Sequence, residues 1–206
     1  MNCDRIARWY RYGEYLTLGR ALERRRREYL SETDEAKHVL ILGDGDGRFT
    51  AEFLKWNRTA RVDSIDLSKN MLQLASRRIA ALPFETQAVR LRHADALTTP
   101  FESKYDLIFT HFFLDCLSNA QIQELASRIS HAATPDAKWI VSEFQTPNLA
   151  AALFVRALYF AFHLLTGSTV QRLPAYSSAL TSNGFARIAC KTALGGILIS
   201  EFWKRT

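Results

Sequence analysis

A short apolar run that leads into three closely spaced glycines constrains the fold of this chain more than any other feature. Residues 39–42 read Val-Leu-Ile-Leu, and residues 43–47 read Gly-Asp-Gly-Asp-Gly. A buried strand, a glycine turn and then a helix allow the backbone to approach a ligand closely. The G-x-G-x-G spacing differs from the G-x-G-x-x-G of dinucleotide-binding proteins, and the Gly-Lys-Ser/Thr of a phosphate-binding loop is absent.

Strand and helix patterns alternate from this turn onward, which predicts a doubly wound parallel sheet. Ser68 is the expected N-cap of one of the helices. In such a sheet the ligand crevice lies at the carboxyl ends of the strands. The expected strands are residues 38–42, 61–67, 88–96, 104–113 and 138–144, and the expected helices are residues 48–56, 68–81 and 118–131.

Three polar residues fall at the carboxyl ends of these predicted strands. Asp66 ends the second strand, 19 residues after Gly47, Asp95 ends the third, and His111 lies near the end of the fourth. In a parallel nucleotide-binding fold, a carboxylate at the Asp66 position reaches the ribose hydroxyls. The convergence of these side chains on the glycine turn predicts a ligand site at that edge.

The last third of the chain has a different pattern. Residues 149–165 form an apolar helical stretch that Arg156 and His163 interrupt on nearly one face, and it is too short and interrupted for a membrane span. A short helix is expected over residues 173–183, with Gly184 as its stop. Two further strands, residues 185–192 and 197–204, are joined by Leu-Gly-Gly, so they should pair as an antiparallel hairpin.

Composition excludes few functions. The length of 206 residues suits one domain, and the net charge of +6 permits nucleic-acid or membrane-surface binding without requiring either. The three cysteines are scattered, without the spacing of metal ligands and without the even number that full disulfide pairing requires. This pattern favours a cytoplasmic protein that holds no metal. No apolar run follows the basic N-terminal residues, so no signal peptide is expected.

Residues 4–30 read as helical, and Arg24 to Arg27 are expected on a solvated surface with Glu23 and Glu28 as partners.

Four motifs in this order resemble those of the class I S-adenosylmethionine-dependent methyltransferases. The matching residues are Val39 to Gly47, Asp66, Asp95-Ala96 and Tyr105 to Ile108. The resemblance implies a three-layer, Rossmann-like α/β fold with a seven-stranded, mostly parallel sheet and an antiparallel strand from a C-terminal hairpin. It also implies that S-adenosylmethionine contacts Gly43, Asp44, Gly45, Gly47, Asp66, Met71, Asp95 and Ala96. Ile41 stands where the family commonly has an acid, and Asp44 or Asp46 is a candidate to replace that acid.

The resemblance further divides the chain into three functional parts within a single domain over residues 1–206. Residues 1–30 are expected to form a helical lid, residues 36–145 the cofactor-binding core, and residues 146–206 the acceptor-side helix and hairpin. The expected partner is a small, partly apolar methyl acceptor, with no nucleic acid and no membrane span. Its candidate contacts are Tyr10, Tyr15, Phe112, Arg156 and His163.

His111 and Asp115 are the candidate catalytic residues. A histidine accepts a proton near neutral pH, and an aspartate four residues later can orient it if the intervening turn is helical. A structural alternative is a hydrogen-bonded core histidine followed by an aspartate that caps the next helix. Three other functions also remain open: a nicotinamide-dependent oxidoreductase, an RNA-directed methyltransferase and a non-catalytic cofactor-binding protein. The oligomeric state is left open too.

Overall fold

Seven strands and the helices between them make up the part of the protein described by the computed structural model, which is residues 19–86, 88–102, 104–149, 151–157 and 175–206. The helices are α1 (Gly19–Arg26), α2 (Arg48–Trp56), α3 (Lys69–Ala80), α4 (Asn119–Ala132) and α5 (Tyr176–Ser182), and residues 151–157 are also helical. The strands are β1 (His38–Leu42), β2 (Arg61–Asp66), β3 (Ala88–His93), β4 (Tyr105–His111), β5 (Ala133–Phe144), β6 (Phe185–Ala193) and β7 (Leu198–Arg205).

The strands form one sheet in the order β3-β2-β1-β4-β5-β7-β6. Neighbours among β1 to β5 pair in parallel, whereas β7 is antiparallel to both β5 and β6. The predicted sheet and terminal hairpin are therefore confirmed. The strand order reverses between β1 and β4, so a crevice opens at their carboxyl ends, where α/β proteins of this kind bind ligands.

The apolar run of β1 is covered on both faces. Leu40 and Leu42 pack into the same cluster as Ile122 of α4, while Val39 and Ile41 pack with Phe53 of α2. These four residues of β1 are at most 2% exposed. A strand buried on both faces needs continuous rather than alternating apolar residues, and this burial places the following glycine turn over the centre of the sheet.

Three strand ends differ from the predicted bounds by two residues or more. β3 stops at His93, and β4 stops at His111 because Phe112 adopts a left-handed conformation with φ of 54°. β5 begins at Ala133, directly after α4, and its register against β4 shifts between Tyr105 and Leu107. Such an irregularity depends on pairing between strands, which the pattern of a single segment does not show.

Helix α1 is fixed to the sheet by its backbone. The carbonyl oxygen of Arg25 accepts hydrogen bonds from the hydroxyls of Ser142 (3.2 Å) and Ser200 (2.9 Å). Arg25 is buried and pairs with Glu28, so the predicted partner is correct but the predicted solvation of Arg25 is wrong. The helix therefore ends next to the carboxyl edge of the sheet.

The C-terminal elements follow the predicted order. Gly184 follows α5 with φ of 83°, and the β6–β7 loop contains left-handed residues from Leu194 to Gly196. The apolar helix predicted over 149–165 is helical at residues 149 and 151–157, and the remainder lies outside the described residues. Among the described helices, none has the length and hydrophobicity required to cross a membrane.

Candidate active site

The glycine turn is left-handed at three alternate positions. Gly43, Gly45 and Gly47 have φ values of 71°, 64° and 73°. A Cβ on Gly43 would lie 2.4 Å from Cδ2 of Phe113, and one on Gly47 would lie 2.6 Å from Cβ of Ala75. Around Gly45 the only such neighbour in the described part of the chain is the sulfur of Met71, at 3.8 Å. Gly43 and Gly47 thus allow close packing, while the backbone at Gly45 stays accessible to a ligand beside Met71.

Asp66 connects the end of β2 to this turn. Its Oδ2 accepts a hydrogen bond from the Gly45 amide (2.9 Å), and its Oδ1 accepts one from the Ser68 amide (2.8 Å). A carboxylate can accept hydrogen bonds from both hydroxyls of a diol, which is the contact predicted for Asp66. Ser68 caps α3 as predicted, because its hydroxyl accepts a hydrogen bond from the Met71 amide.

Asp44 organises the start of α2. Its two oxygens accept hydrogen bonds from the amides of Phe49 (3.3 Å) and Thr50 (2.8 Å) and from the Thr50 hydroxyl (2.6 Å). Burial raises the pKa of Asp44 to about 6, although the Thr50 bonds act in the opposite direction. The carboxyl therefore completes the helix N-terminus, and its contact with a cofactor stays a prediction.

Asp46 ties two helices together. Its carboxylate lies 3.0 Å from both Arg48 of α2 and Arg78 of α3. These ion pairs account for both of its oxygens, so the geometry favours a structural role over replacement of the acid missing at Ile41.

Asp95 and Ala96 lie in the turn after β3 rather than within the strand. Oδ1 of Asp95 accepts a hydrogen bond from the Leu97 amide (2.9 Å), and its side chain remains exposed, whereas Ala96 is buried. The turn follows β3, and β3 pairs with β2, so Asp95 stands on the same sheet edge as Asp66.

His111, the last residue of β4, is buried against aromatic rings. The centroids of Phe49 and Phe109 lie 4.5 Å and 5.3 Å from that of its imidazole. Neither ring nitrogen has a hydrogen-bond partner among the described residues. Burial, and secondarily the charge of Arg26, lowers the pKa of His111 well below its ordinary value, so the imidazole is neutral at pH 7.

Asp115 does not pair with His111 as the sequence suggested. The left-handed Phe112 ends the strand, and Asp115 lies in the short 3₁₀ turn Leu114–Cys116. It does not cap the next helix either, because Ser118 and Gln121 form a capping box at the start of α4. The proposed orienting pair and the structural alternative are therefore both corrected.

Glu143, near the end of β5, is a residue that the sequence analysis missed. Its Oε1 accepts hydrogen bonds from the amides of Phe113 (3.1 Å) and Leu114 (2.8 Å), whereas its Oε2 has no partner among the described residues. Burial and the nearby Asp115 charge raise the pKa of Glu143 well above its ordinary value. An acid within an otherwise apolar stretch at the end of a central strand was the available signal.

Arg26, the last residue of α1, was also missed. Its guanidinium carbon lies 5.3 Å from the centroid of Phe112, and the Phe112 ring lies 5.1 Å from that of Phe144. The positive charge lowers the pKa of both Asp44 and His111. The sequence did not indicate a role for Arg26 because it stands in a run of four arginines. Only the packing of α1 against the sheet distinguishes Arg26 from its neighbours.

Other predicted residues contribute less to this geometry. Arg156 is exposed on the helical segment 151–157, while Tyr10, Tyr15 and His163 lie outside the described residues. Within the described ranges, no group of three or more His, Cys, Asp or Glu side chains is arranged to hold a metal ion.

Comparison with known proteins agrees with this arrangement of strands and glycine turn. Residues 39–137 match the family model described as a methyltransferase domain. The match covers 99 of the 206 residues and makes this part of the chain similar to methyltransferase domains. The matched region contains the glycine turn, Asp66, Asp95 and the β4 end, and it stops within β5.

Solved methyltransferase structures share the fold over nearly the whole chain. Magnesium protoporphyrin IX methyltransferase from Synechocystis PCC 6803 aligns with a TM-score of 0.67 at 18% identity, covering 91% of this chain and 82% of that one. The N-methyltransferase NodS from Bradyrhizobium japonicum WM9 aligns with a TM-score of 0.64 at 14% identity, covering 90% and 97%. At these identities the likeness shows the fold alone.

Curated relatives of similar sequence carry a different transferase name. Polyamine aminopropyltransferase 2 of Bacillus anthracis is 32% identical over 123 residues, which is 54% of this chain and 34% of the relative. A polyamine aminopropyltransferase of Prochlorococcus marinus is 24% identical over 99 residues, 47% of this chain and 35% of the relative. The chain thus spans about a third of the length of these relatives.

Proposed function

We propose that this protein binds S-adenosylmethionine and transfers its methyl group to a small, partly apolar acceptor. The observation that carries the proposal is the Asp66 carboxylate, which the Gly45 amide holds beside a left-handed glycine turn. The exposed Asp95 on the same edge suits contact with the adenine, and Met71 suits packing beside it. Methyltransferase neighbours with the same fold support this use of the crevice.

The residues around the crevice fit this cofactor. The open backbone at Gly45 admits a ligand, and a carboxylate at the position of Asp66 suits a ribose diol. The bound sulfonium supplies an electrophilic methyl group. The protein has to align the acceptor and exclude water, and the apolar Phe112 and Phe113 beyond β4 suit that task. His111 is neutral and has no hydrogen-bond partner among the described residues, so it is available to accept a proton from the acceptor.

Transfer of an aminopropyl group is the second candidate, because of the curated relatives. Its donor also contains a sulfonium but lacks the carboxylate of the methionyl chain. Arg26 acts electrostatically on Asp44 in the glycine turn and on His111 at the end of β4. A fixed cation at that point favours a donor that carries a carboxylate, which supports methyl transfer.

Calorimetry with four ligands tests these functions. S-adenosylmethionine and its demethylated product should bind, while decarboxylated S-adenosylmethionine should bind more weakly and NAD should not bind. Tighter binding of the decarboxylated compound would favour aminopropyl transfer, and binding of NAD alone would favour an oxidoreductase. A methyl-transfer screen against a metabolite library then separates an enzyme from a non-catalytic binding protein.

Two further proposals concern the parts of the chain around this core. Residues 1–30 act as a lid that contributes Tyr10 and Tyr15, and residues 146–206 contribute Arg156 and His163 to the acceptor side.

An RNA acceptor is the remaining alternative, and salt-dependent RNA binding by the purified protein would support it.

A further inference from the structure

The segment that carries Asp95 depends on other elements for its position. The described residues between β3 and β4 form turns rather than a helix or a strand. Within the segment, Oδ1 of Asp95 accepts a hydrogen bond from the Leu97 amide, and its backbone carbonyl accepts bonds from the amides of Thr98 (3.1 Å) and Thr99 (2.9 Å). These bonds close the turn on itself, so contacts from neighbouring elements have to hold it against the sheet.

Arg128 of α4 supplies such contacts from one side. Its Nη1 donates a hydrogen bond to the carbonyl oxygen of Ala96 (2.7 Å), and its Nη2 donates one to the carbonyl oxygen of Thr99. Its guanidinium carbon also lies 4.8 Å from the centroid of the Phe101 ring. A planar guanidinium can donate to two acceptors and stack on a ring at the same time, which an ammonium group cannot do. One side chain thus fixes the turn that directly follows Asp95.

Arg92 of β3 holds the same turn from the neighbouring strand. Its Nη1 donates to the carbonyl oxygen of Pro100 (3.0 Å), and its Nη2 donates to the hydroxyl of Thr99 (2.9 Å). Between these two arginines the Asp95 side chain remains exposed, whereas Ala96 is buried. A group that is held in place before the ligand arrives does not lose the free energy of ordering a loop when it binds.

We propose that Arg128 is a positioning residue for the cofactor: it holds the turn so that the Asp95 carboxylate accepts a hydrogen bond from the amino group of adenine. Arg128 acts through Asp95 rather than on the cofactor, because both of its terminal nitrogens donate to backbone carbonyls of the turn. A carboxylate accepts a hydrogen bond from an amino group but not from the carbonyl that replaces it in hypoxanthine, so the effect is one of base selectivity. This inference rests on the proposed binding of S-adenosylmethionine.

The test uses Arg128→Lys, which keeps the positive charge but loses the planar pair of donors. Arg205→Lys is the matched control, because the Arg205 guanidinium also donates to two backbone carbonyls, those of Ala133 and Thr134. Those carbonyls belong to the start of β5, at the sheet edge opposite the crevice. The probes are S-adenosylhomocysteine and S-inosylhomocysteine, which differ in the amino group of the base. Calorimetry measures the dissociation constants, and circular dichroism shows whether each variant is folded.

The wild-type protein and Arg205→Lys should bind S-adenosylhomocysteine roughly tenfold more tightly than S-inosylhomocysteine, the size expected for one hydrogen bond to a charged group. In Arg128→Lys the affinity for S-adenosylhomocysteine should fall roughly tenfold while that for S-inosylhomocysteine changes less than about twofold, so the preference disappears. A general loss of stability would weaken both probes equally. Equal weakening, or an unchanged preference in folded Arg128→Lys, overturns the inference.

A double-mutant cycle tests whether Arg128 acts through Asp95. If it does, Arg128→Lys should add less than about a twofold loss of affinity to that of Asp95→Ala, because the contact is already missing. Losses that multiply in the double variant overturn the inference.

Phe101→Leu serves as the variant if Arg128→Lys does not fold. It removes the ring beneath the guanidinium and leaves both hydrogen bonds to the turn. The preference for S-adenosylhomocysteine should then fall roughly threefold, the size expected for a lost cation–π contact. An unchanged preference in folded Phe101→Leu overturns the inference.

Failure of the inference differs from failure of the proposed function. If the wild-type protein binds neither S-adenosylmethionine nor S-adenosylhomocysteine, the proposed function fails and the inference fails with it. If the wild-type protein binds the adenosyl and inosyl probes equally tightly, the inference is overturned and the proposed cofactor stands.

Discussion

Asp66 is the side chain on which cofactor affinity should depend most. Asp66→Ala should weaken binding of S-adenosylmethionine by roughly 2–4 kcal/mol, because two charge-assisted hydrogen bonds to the ribose are lost. Calorimetry on the purified variant measures this loss. Because Asp66 also accepts the Gly45 and Ser68 amides, circular dichroism must show that the variant is folded. Unchanged affinity in a folded Asp66→Ala protein would contradict the ribose assignment.

His111 offers a test that separates proton transfer from packing. If it is the base, His111→Ala should bind cofactor normally and lose roughly 100-fold in turnover. If it only packs between Phe49 and Phe109, the loss should appear in stability, and turnover by the folded, loaded protein should be nearly unchanged. Steady-state rates together with thermal melts decide between the two outcomes.

The lowered pKa of His111 also predicts how stability depends on pH. The unfolded chain takes up a proton on this residue as the pH falls below about 6.5, while the folded protein keeps the imidazole neutral until a much lower pH. The contribution of the buried histidine is therefore complete above pH 6.5 and decreases below it. The free energy of unfolding of His111→Gln, compared with that of the wild type, should therefore change as the pH falls below 6.5. A difference between the two proteins that is independent of pH would show that the histidine is not buried in its neutral form.

At the scale of elements, the strand–turn–helix unit depends on glycine for two separable reasons. Gly47→Ala should destabilise the protein by roughly 2–4 kcal/mol, because it combines a left-handed φ with a contact of α3 that is too short. Gly195→Ala is the matched control, since Gly195 has φ of 63° but no atom of the described residues lies within 4 Å of the new Cβ. The control should lose only about 1 kcal/mol. Denaturant melts measure both, and equal losses would show that the contact with Ala75 does not matter.

At the scale of the whole molecule, cofactor binding should stabilise the fold by mass action. At a concentration of 100 times its dissociation constant, a ligand adds about 2.7 kcal/mol, which corresponds to a rise of roughly 5–10 °C in the thermal midpoint of a protein of this size. Differential scanning fluorimetry with S-adenosylhomocysteine measures the shift. NAD at the same concentration is the control, and an equal shift with NAD would contradict a methionyl cofactor.

The local sequence determined most of the architecture. The apolar run of β1, the glycine turn, the Ser68 cap and the Leu-Gly-Gly hairpin loop are signals carried by a few consecutive residues, because backbone conformation and strand burial depend on local chemistry. The order of these signals along the chain was enough to predict the sheet. It also predicted that Asp66 lies beside the glycine turn.

Tertiary packing decided what the functional side chains can do. The docking of α1 against Ser142 and Ser200 separates Arg26 from the other three arginines, and the left-handed Phe112 prevents the predicted pairing of His111 with Asp115. The early start of β5 and the contact of Glu143 with the turn after β4 arise between segments that are distant in sequence. Burial and the field of neighbouring charges set the protonation of His111 and Glu143, and both depend on atoms that only the assembled fold brings together.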